Sequence, residues 1–116
     1  MSRSFYLASG LENIANARRI RDALVERGYT QTYDWTVHGP VWRDGLARIA
    51  EVALAELDGV ARADFVVVLL PGGRGTHTEM GYALALGKPV FIWSDDLDLF
   101  SAAPQTCAFY HHPNGF

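Results

Sequence analysis

Three short runs of the chain are apolar on both faces: Phe5-Tyr6-Leu7-Ala8, Phe65 to Leu70, and Pro89-Val90-Phe91-Ile92-Trp93. A strand with one wet face alternates apolar and polar residues, whereas unbroken runs of this length suit strands covered on both sides, as in a parallel sheet. Between them the apolar period lengthens to that of a helix. Asn13 to Arg27 places Ala17, Ile20 and Leu24 on one face, with Gly28 past its end. Arg43 to Ala61 carries a stripe of Leu46, Ile49, Ala50, Ala53, Leu57, Val60 and Ala61, and Thr76 to Leu86 stops at Gly87 with Lys88-Pro89 behind it. Thr32 to Trp35 and Ala108 to Tyr110 are weaker strand candidates at sheet edges. The pattern predicts β-α-β-α-β-α-β-β: an α/β fold with a mainly parallel five-stranded sheet, helices on both faces and right-handed crossovers. Residues 1–116 read as a single domain, without repeat or linker, and only Ser94 to Gln105 reads as a long surface loop.

Doubly wound sheets bind ligands outside the carboxyl ends of their strands, where the strand order reverses. With order 2-1-3-4-5 that point lies between Ala8-Ser9-Gly10 and Pro71-Gly72-Gly73-Arg74-Gly75, and both segments carry glycine. Glycine lets backbone N–H groups approach an anion or a sugar, and a helix start beneath adds positive partial charge. The loop is neither a P-loop, since no Gly-Lys-Ser/Thr follows, nor a G-x-G-x-x-G dinucleotide turn. Glu79 falls in the first turn of the expected third helix, where a carboxylate stays ionised and is suited to be a nucleophile or an electrostatic clamp. Thr76-His77-Thr78-Glu79 is also a capping box, in which Glu79 reaches back to the Thr76 N–H. Spacing alone leaves both roles open.

Other side chains carry two readings each. Glu56 lies at the rim of the second helix's stripe, as a second carboxylate for the site or as a solvated helix edge. Tyr6 is near the carboxyl end of the first strand, in reach of the crevice or packed in the core. Asp34-Trp35 offers a carboxylate beside a large π-face, suited to a nucleobase or to packing at the sheet edge. Asp64 reads as a structural turn residue and His38 as an isolated loop residue. His77, His111 and His112 lack metal-ligand spacing, so no metal and no organic cofactor are expected.

Composition narrows the partners. A length of 116 residues with 49% apolar composition permits one ordinary core, and a formal net charge of -3 gives no broad attraction to nucleic acid polymers or acidic membranes. Small ligands fit better. The one cysteine, Cys107, cannot form an internal disulfide, which together with the lack of a leader or membrane-length apolar run makes a cytoplasmic setting the expectation.

Tyr6-Leu7-Ala8-Ser9-Gly10, the segment Glu56 to Asp64, and Gly75-Thr76-His77-Thr78-Glu79-Met80-Gly81-Tyr82-Ala83 together resemble the nucleoside 2-deoxyribosyltransferase family, including its 2'-deoxynucleoside 5'-monophosphate N-glycosidase branch. The resemblance spans roughly Phe5 to Trp93. It implies a flavodoxin-like (Rossmann-like) fold and cleavage or transfer at the N-glycosidic bond of a deoxynucleoside or its monophosphate. By the same resemblance Glu79 is the nucleophile at C1', Tyr6 orients it, and Glu56, one methylene longer than the family aspartate, is the acid to the departing base. Ser9, Gly10, Asp34, Trp35, Gly73, Arg74, Gly75, Thr76 and Met80 are then expected to contact substrate. Gly73 stands where the transferases carry aspartate and the monophosphate hydrolases serine, so the choice between nucleoside and monophosphate stays open. A homodimer or higher homo-oligomer is implied, since family sites are completed from a neighbouring subunit. Pro71 to Glu79 also looks like the P-G-G-x-G-T-x-x-E loop of cytokinin-activating phosphoribohydrolases. A ribonucleotide phosphoribohydrolase using Arg74, and a nucleotide sensor that binds without cleaving, are the alternatives.

Overall fold

The two longest both-face apolar runs become neighbouring central strands. In the computed structural model, which describes residues 3–116, β1 (Ser4–Ala8) is followed by α1 (Ile14–Glu26), β2 (Thr30–Gln31), α2 (Leu46–Arg62), β3 (Phe65–Leu69), α3 (Arg74–Ala85) and β4 (Val90–Trp93). All strand pairs are parallel, in the order β2-β1-β3-β4. Phe5 stands opposite Phe65, and Leu69 opposite Trp93. Right-handed crossovers put α1 on one face of the sheet and α2 and α3, packed against each other, on the other. The flavodoxin-like class follows. Phe5, Tyr6, Leu7, Val66, Val68 and Val90 form the fully buried centre, and Gly28 and Gly87, both at positive φ, end α1 and α3. Among the described residues no helix is long and apolar enough to cross a membrane.

Four expectations are corrected. The second strand is Thr30–Gln31, not Thr32 to Trp35, because the Asp34 carboxylate accepts from the Thr36 N–H and hydroxyl and turns Trp35–Val37 into a 3-10 helix. The sheet has four strands among the described residues, not five. Ala108–His111 is a 3-10 turn, with the Tyr110 N–H satisfied locally by the Cys107 carbonyl. Only the last residues reach the β4 edge, where Gly115 bridges Val90 in parallel. β4 is covered on one side only, leaving Phe91 and Trp93 nearly half exposed.

The fourth correction concerns α2. Its packed face is Val52, Glu56, Gly59 and Val60, about a quarter turn from the expected stripe. Leu46 and Leu54 are 85% and 71% exposed. The helix carries apolar residues on more than one side, and closeness to β1 decides which side turns inward. A Cβ at Gly59 would lie 2.9 Å from the Tyr33 Cβ and 3.0 Å from the Tyr6 ring, so glycine alone lets the helix settle onto that ring.

Candidate active site

A cavity of about 360 Å³ opens at the carboxyl ends of β1 and β3, beneath the loop that follows β2. That volume lies within the roughly 300–1,000 Å³ of small-molecule sites. Its lips are the two glycine segments. The Ser9 hydroxyl donates to the Leu69 carbonyl at 2.9 Å and the Asn13 amide to the Pro71 carbonyl at 3.2 Å, so the loops after β1 and β3 are tied together. A Cβ at Gly10 would collide with the Glu12 carboxylate, and one at Gly72 would lie 2.5 Å from the Thr76 side chain.

Glu79 lines the floor and is 6% exposed. Helix α3 starts at Arg74, with Gly73 as its N-cap and no side-chain cap bond, so Glu79 sits in the second turn. The capping-box reading is therefore overturned: the carboxyl is turned into the fold instead of back onto its own main chain. Burial first, then the neighbouring Glu56 carboxyl, pushes the Glu79 pKa up to about 9, with the Tyr6 hydroxyl pulling the other way. This reverses the expected ionisation. The Glu79 carboxyl holds its proton at neutral pH, because a partly exposed helix-end charge was expected and a dry one is found.

Tyr6 lies beneath the cavity, fully buried. Its hydroxyl has no hydrogen-bond partner of ordinary geometry among the described residues. Burial, then the charges of Glu79 and Glu56, raise its pKa well above that of a free tyrosine, so the O–H remains a donor. Glu56, half-buried, lines the cavity on α2, one turn before the Gly59 that admits the Tyr6 ring. Three groups expected from separate parts of the chain thus converge.

Ser9, Gly10, Trp35, Gly73, Gly75 and Thr76 also line the cavity. The Ser9 hydroxyl donates to protein, so its oxygen offers lone pairs only. Trp35 is buried, and its indole N–H donates to the Leu7 carbonyl at 2.7 Å, fixing the ring in the wall. Three expected contacts fall outside. Asp34 is spent on capping and on a 2.7 Å ion pair with Arg21. Burial alone would raise its pKa, but bonds from Thr36 and Arg21 hold it below the ordinary carboxylate range. Arg74 begins α3 as an exposed residue outside the lining, and Met80 is packed in the core. Residues next to a site residue in sequence point elsewhere on a helix.

Residue-by-residue reading missed Glu12, His38 and Gly59. Glu12 lines the cavity from the 3-10 turn Leu11–Asn13 and His38 from a loop, and neither segment carries a periodic signal. A glycine on an otherwise apolar helix was the signal available for Gly59.

A family model described as nucleoside 2-deoxyribosyltransferase matches residues 5–108. The chain belongs to the nucleoside 2-deoxyribosyltransferase family. It is accordingly an enzyme of the N-glycosidic bond of nucleosides or nucleotides, a transferase or an N-glycosidase. No curated protein matches its sequence. Among solved structures it is similar to the CMP N-glycosidase BcmB of Clostridium botulinum, with a TM-score of 0.55 and 16% identity over 98% of this chain and 86% of that one. At that identity the likeness supports the fold.

Proposed function

We propose that the nucleoside 2-deoxyribosyltransferase-family cavity cleaves the N-glycosidic bond of a 2'-deoxynucleoside or its monophosphate through a glycosyl-enzyme on Glu79. The observation that supports this most is the buried Glu79 carboxyl beside the half-buried Glu56 in one cavity, with the Tyr6 hydroxyl acting on Glu79 from beneath. Glycoside cleavage needs a carboxylate at the anomeric carbon and a proton for the leaving group.

The raised pKa of Glu79 enters this mechanism directly. Burial and the nearby Glu56 carboxyl keep a proton on Glu79 at neutral pH. With substrate bound, the proton moves from Glu79 to Glu56, leaving Glu79 charged against C1' as positive charge develops there. The C1'–N bond breaks, its electron pair stays on the base nitrogen, and Glu56 delivers the proton to the base. Glu79 closes the ester to C1', with the Tyr6 O–H directed at its second oxygen. Glu56, now a carboxylate, takes a proton from the incoming water or second base, which releases the sugar from Glu79.

Incubating the purified chain with 2'-deoxynucleosides and their monophosphates, and following free base by chromatography, tests the reading. Glu79→Gln is expected to lower turnover by at least about 10⁴-fold, the scale for losing a covalent nucleophile. A 2'-fluoro nucleoside, whose ester hydrolyses slowly, is expected to leave a glycosyl mass increment on the peptide holding Glu79. Near-normal turnover in the variant, or an increment on another peptide, overturns the assignment. A homodimer whose partner completes the open side of the cavity belongs to the same proposal and is checked by light scattering.

A further inference from the structure

The charged side chains at the cavity are of one sign. Glu12, Glu56 and Glu79 all line it, and among the described residues no lysine or arginine does. Arg74, the cation expected to meet substrate, stands exposed outside the lining. His38 does not take its place, because Nδ1 lies 2.6 Å from the Gly39 carbonyl and Nε2 is buried.

Glu12 is the one of the three carboxyls that the cleavage chemistry leaves unused. It lies on the 3-10 turn Leu11–Asn13, directly after the Gly10 lip, and the Asn13 N–H closes that turn on the Gly10 carbonyl at 3.0 Å. Although the residue is exposed, its carboxylate fills the space in which a β-carbon at Gly10 would stand. The charge is therefore folded back onto the lip.

A cavity of about 360 Å³ is on the order of 9 Å across, close to the Debye length of about 8 Å at physiological salt, so a charge anywhere inside it feels all three side chains. The start of α3 borders the same space through Gly73, Gly75 and Thr76, and its N–H groups favour an anion by roughly half a unit charge. Against that stand the full charges of Glu12 and Glu56, the second already acting on Tyr6 and Glu79. Repulsion wins. A further anion would also push Glu79 the way Glu56 pushes it, away from the ionised form that a nucleophile needs.

We infer that Glu12 sets the substrate class: the cavity accepts the uncharged 2'-deoxynucleoside and turns away its 5'-monophosphate, because the Glu12 carboxylate on the Gly10 lip adds a second full negative charge to that of Glu56. The inference rests on reading the cavity as a nucleoside site.

The test uses the full chain and the four common 2'-deoxynucleosides, each against its 5'-monophosphate. Base release and calorimetric affinity are measured for the native protein, Glu12→Gln and Glu12→Lys, in roughly 50 mM and roughly 500 mM sodium chloride, which shortens the Debye length about three-fold. For every base that is bound, the nucleoside is expected to be favoured by about ten-fold or more in kcat/KM and in affinity at low salt. High salt should narrow that ratio, Glu12→Gln should narrow it at low salt, and Glu12→Lys should narrow it further. The native ratios and their salt dependence decide by themselves should a variant fail to fold. Monophosphates bound as well as nucleosides or better, a preference that salt does not change, a ratio that neither folded variant shifts, or no measurable binding of any of the eight ligands overturns the inference. Nucleoside-selective binding with no base released would sink the catalytic reading and leave this one standing. Faster base release from the monophosphates would do the reverse.

Discussion

The floor and the outer wall of the cavity are built on opposite terms. The floor, Tyr6 and Glu79, stands on β1 and α3, is almost entirely buried, and keeps a protonated carboxyl beside an unpartnered hydroxyl. The wall, His38 to Val41, lies in a loop that is half or fully exposed. A dry floor costs stability, because a carboxyl and a hydroxyl are buried with less hydrogen bonding than water would give them. A loop wall spends little, since its polar groups largely remain wet. The difference teaches a division of labour: changes to the floor should act on turnover and folding, and changes to the wall on substrate selection.

The largest expected effect is a change in how stability depends on pH. Glu79 binds its proton below about 9 in the folded chain, against an ordinary value of 4.5. Between those values the folded state holds more protons than the unfolded one, so stability falls as pH rises, by at most about 1.4 kcal/mol per pH unit. Glu79→Gln removes that slope. Melting both proteins from pH 5 to pH 9 should show the variant gaining Tm over the native chain as pH rises, and parallel curves would mean the carboxyl is ionised as it stands.

Next comes Tyr6→Phe, expected to reduce kcat by about 10²-fold while KM and Tm hold, because the hydroxyl acts on the Glu79 carboxyl and has no hydrogen-bond partner of ordinary geometry among the described residues. A fall in Tm would make the hydroxyl a structural group. Gly59→Val should follow at about 1–3 kcal/mol of stability, as its side chain is driven into Tyr33 and Tyr6. Activity should drop with it; denaturant unfolding together with turnover at low temperature checks both. The smallest effect belongs to the wall. Val41→Ala should raise KM by about ten-fold and leave kcat within a factor of a few, and a kcat-dominated loss would erase the distinction between floor and wall.

The parts legible in the sequence were those where one local rule acts alone. Uninterrupted Val and Leu runs placed the central strands, Gly28 and Gly87 marked helix ends, and the carboxyl-end rule put the site between Ser9-Gly10 and the Gly72-Gly73 loop. Where two local rules competed, tertiary contact decided. Thr76 to Glu79 satisfied a capping box, yet the helix begins earlier, at Arg74, and carries Glu79 inward. The apolar stripe of α2 satisfied helical periodicity, yet Gly59 turned a different face to Tyr6 and took Glu56 from the rim into the cavity. His38, an isolated loop residue in the sequence, carries no periodicity, and only the fold brings it to the cavity.

The bonds from Ser9 to Leu69 and from Asn13 to Pro71 give the two glycine lips a shared fate. Pulling on either one loads both, so they act as a single jaw of a clamp. A molecule gripped by one lip alone should slow amide hydrogen exchange across the pair.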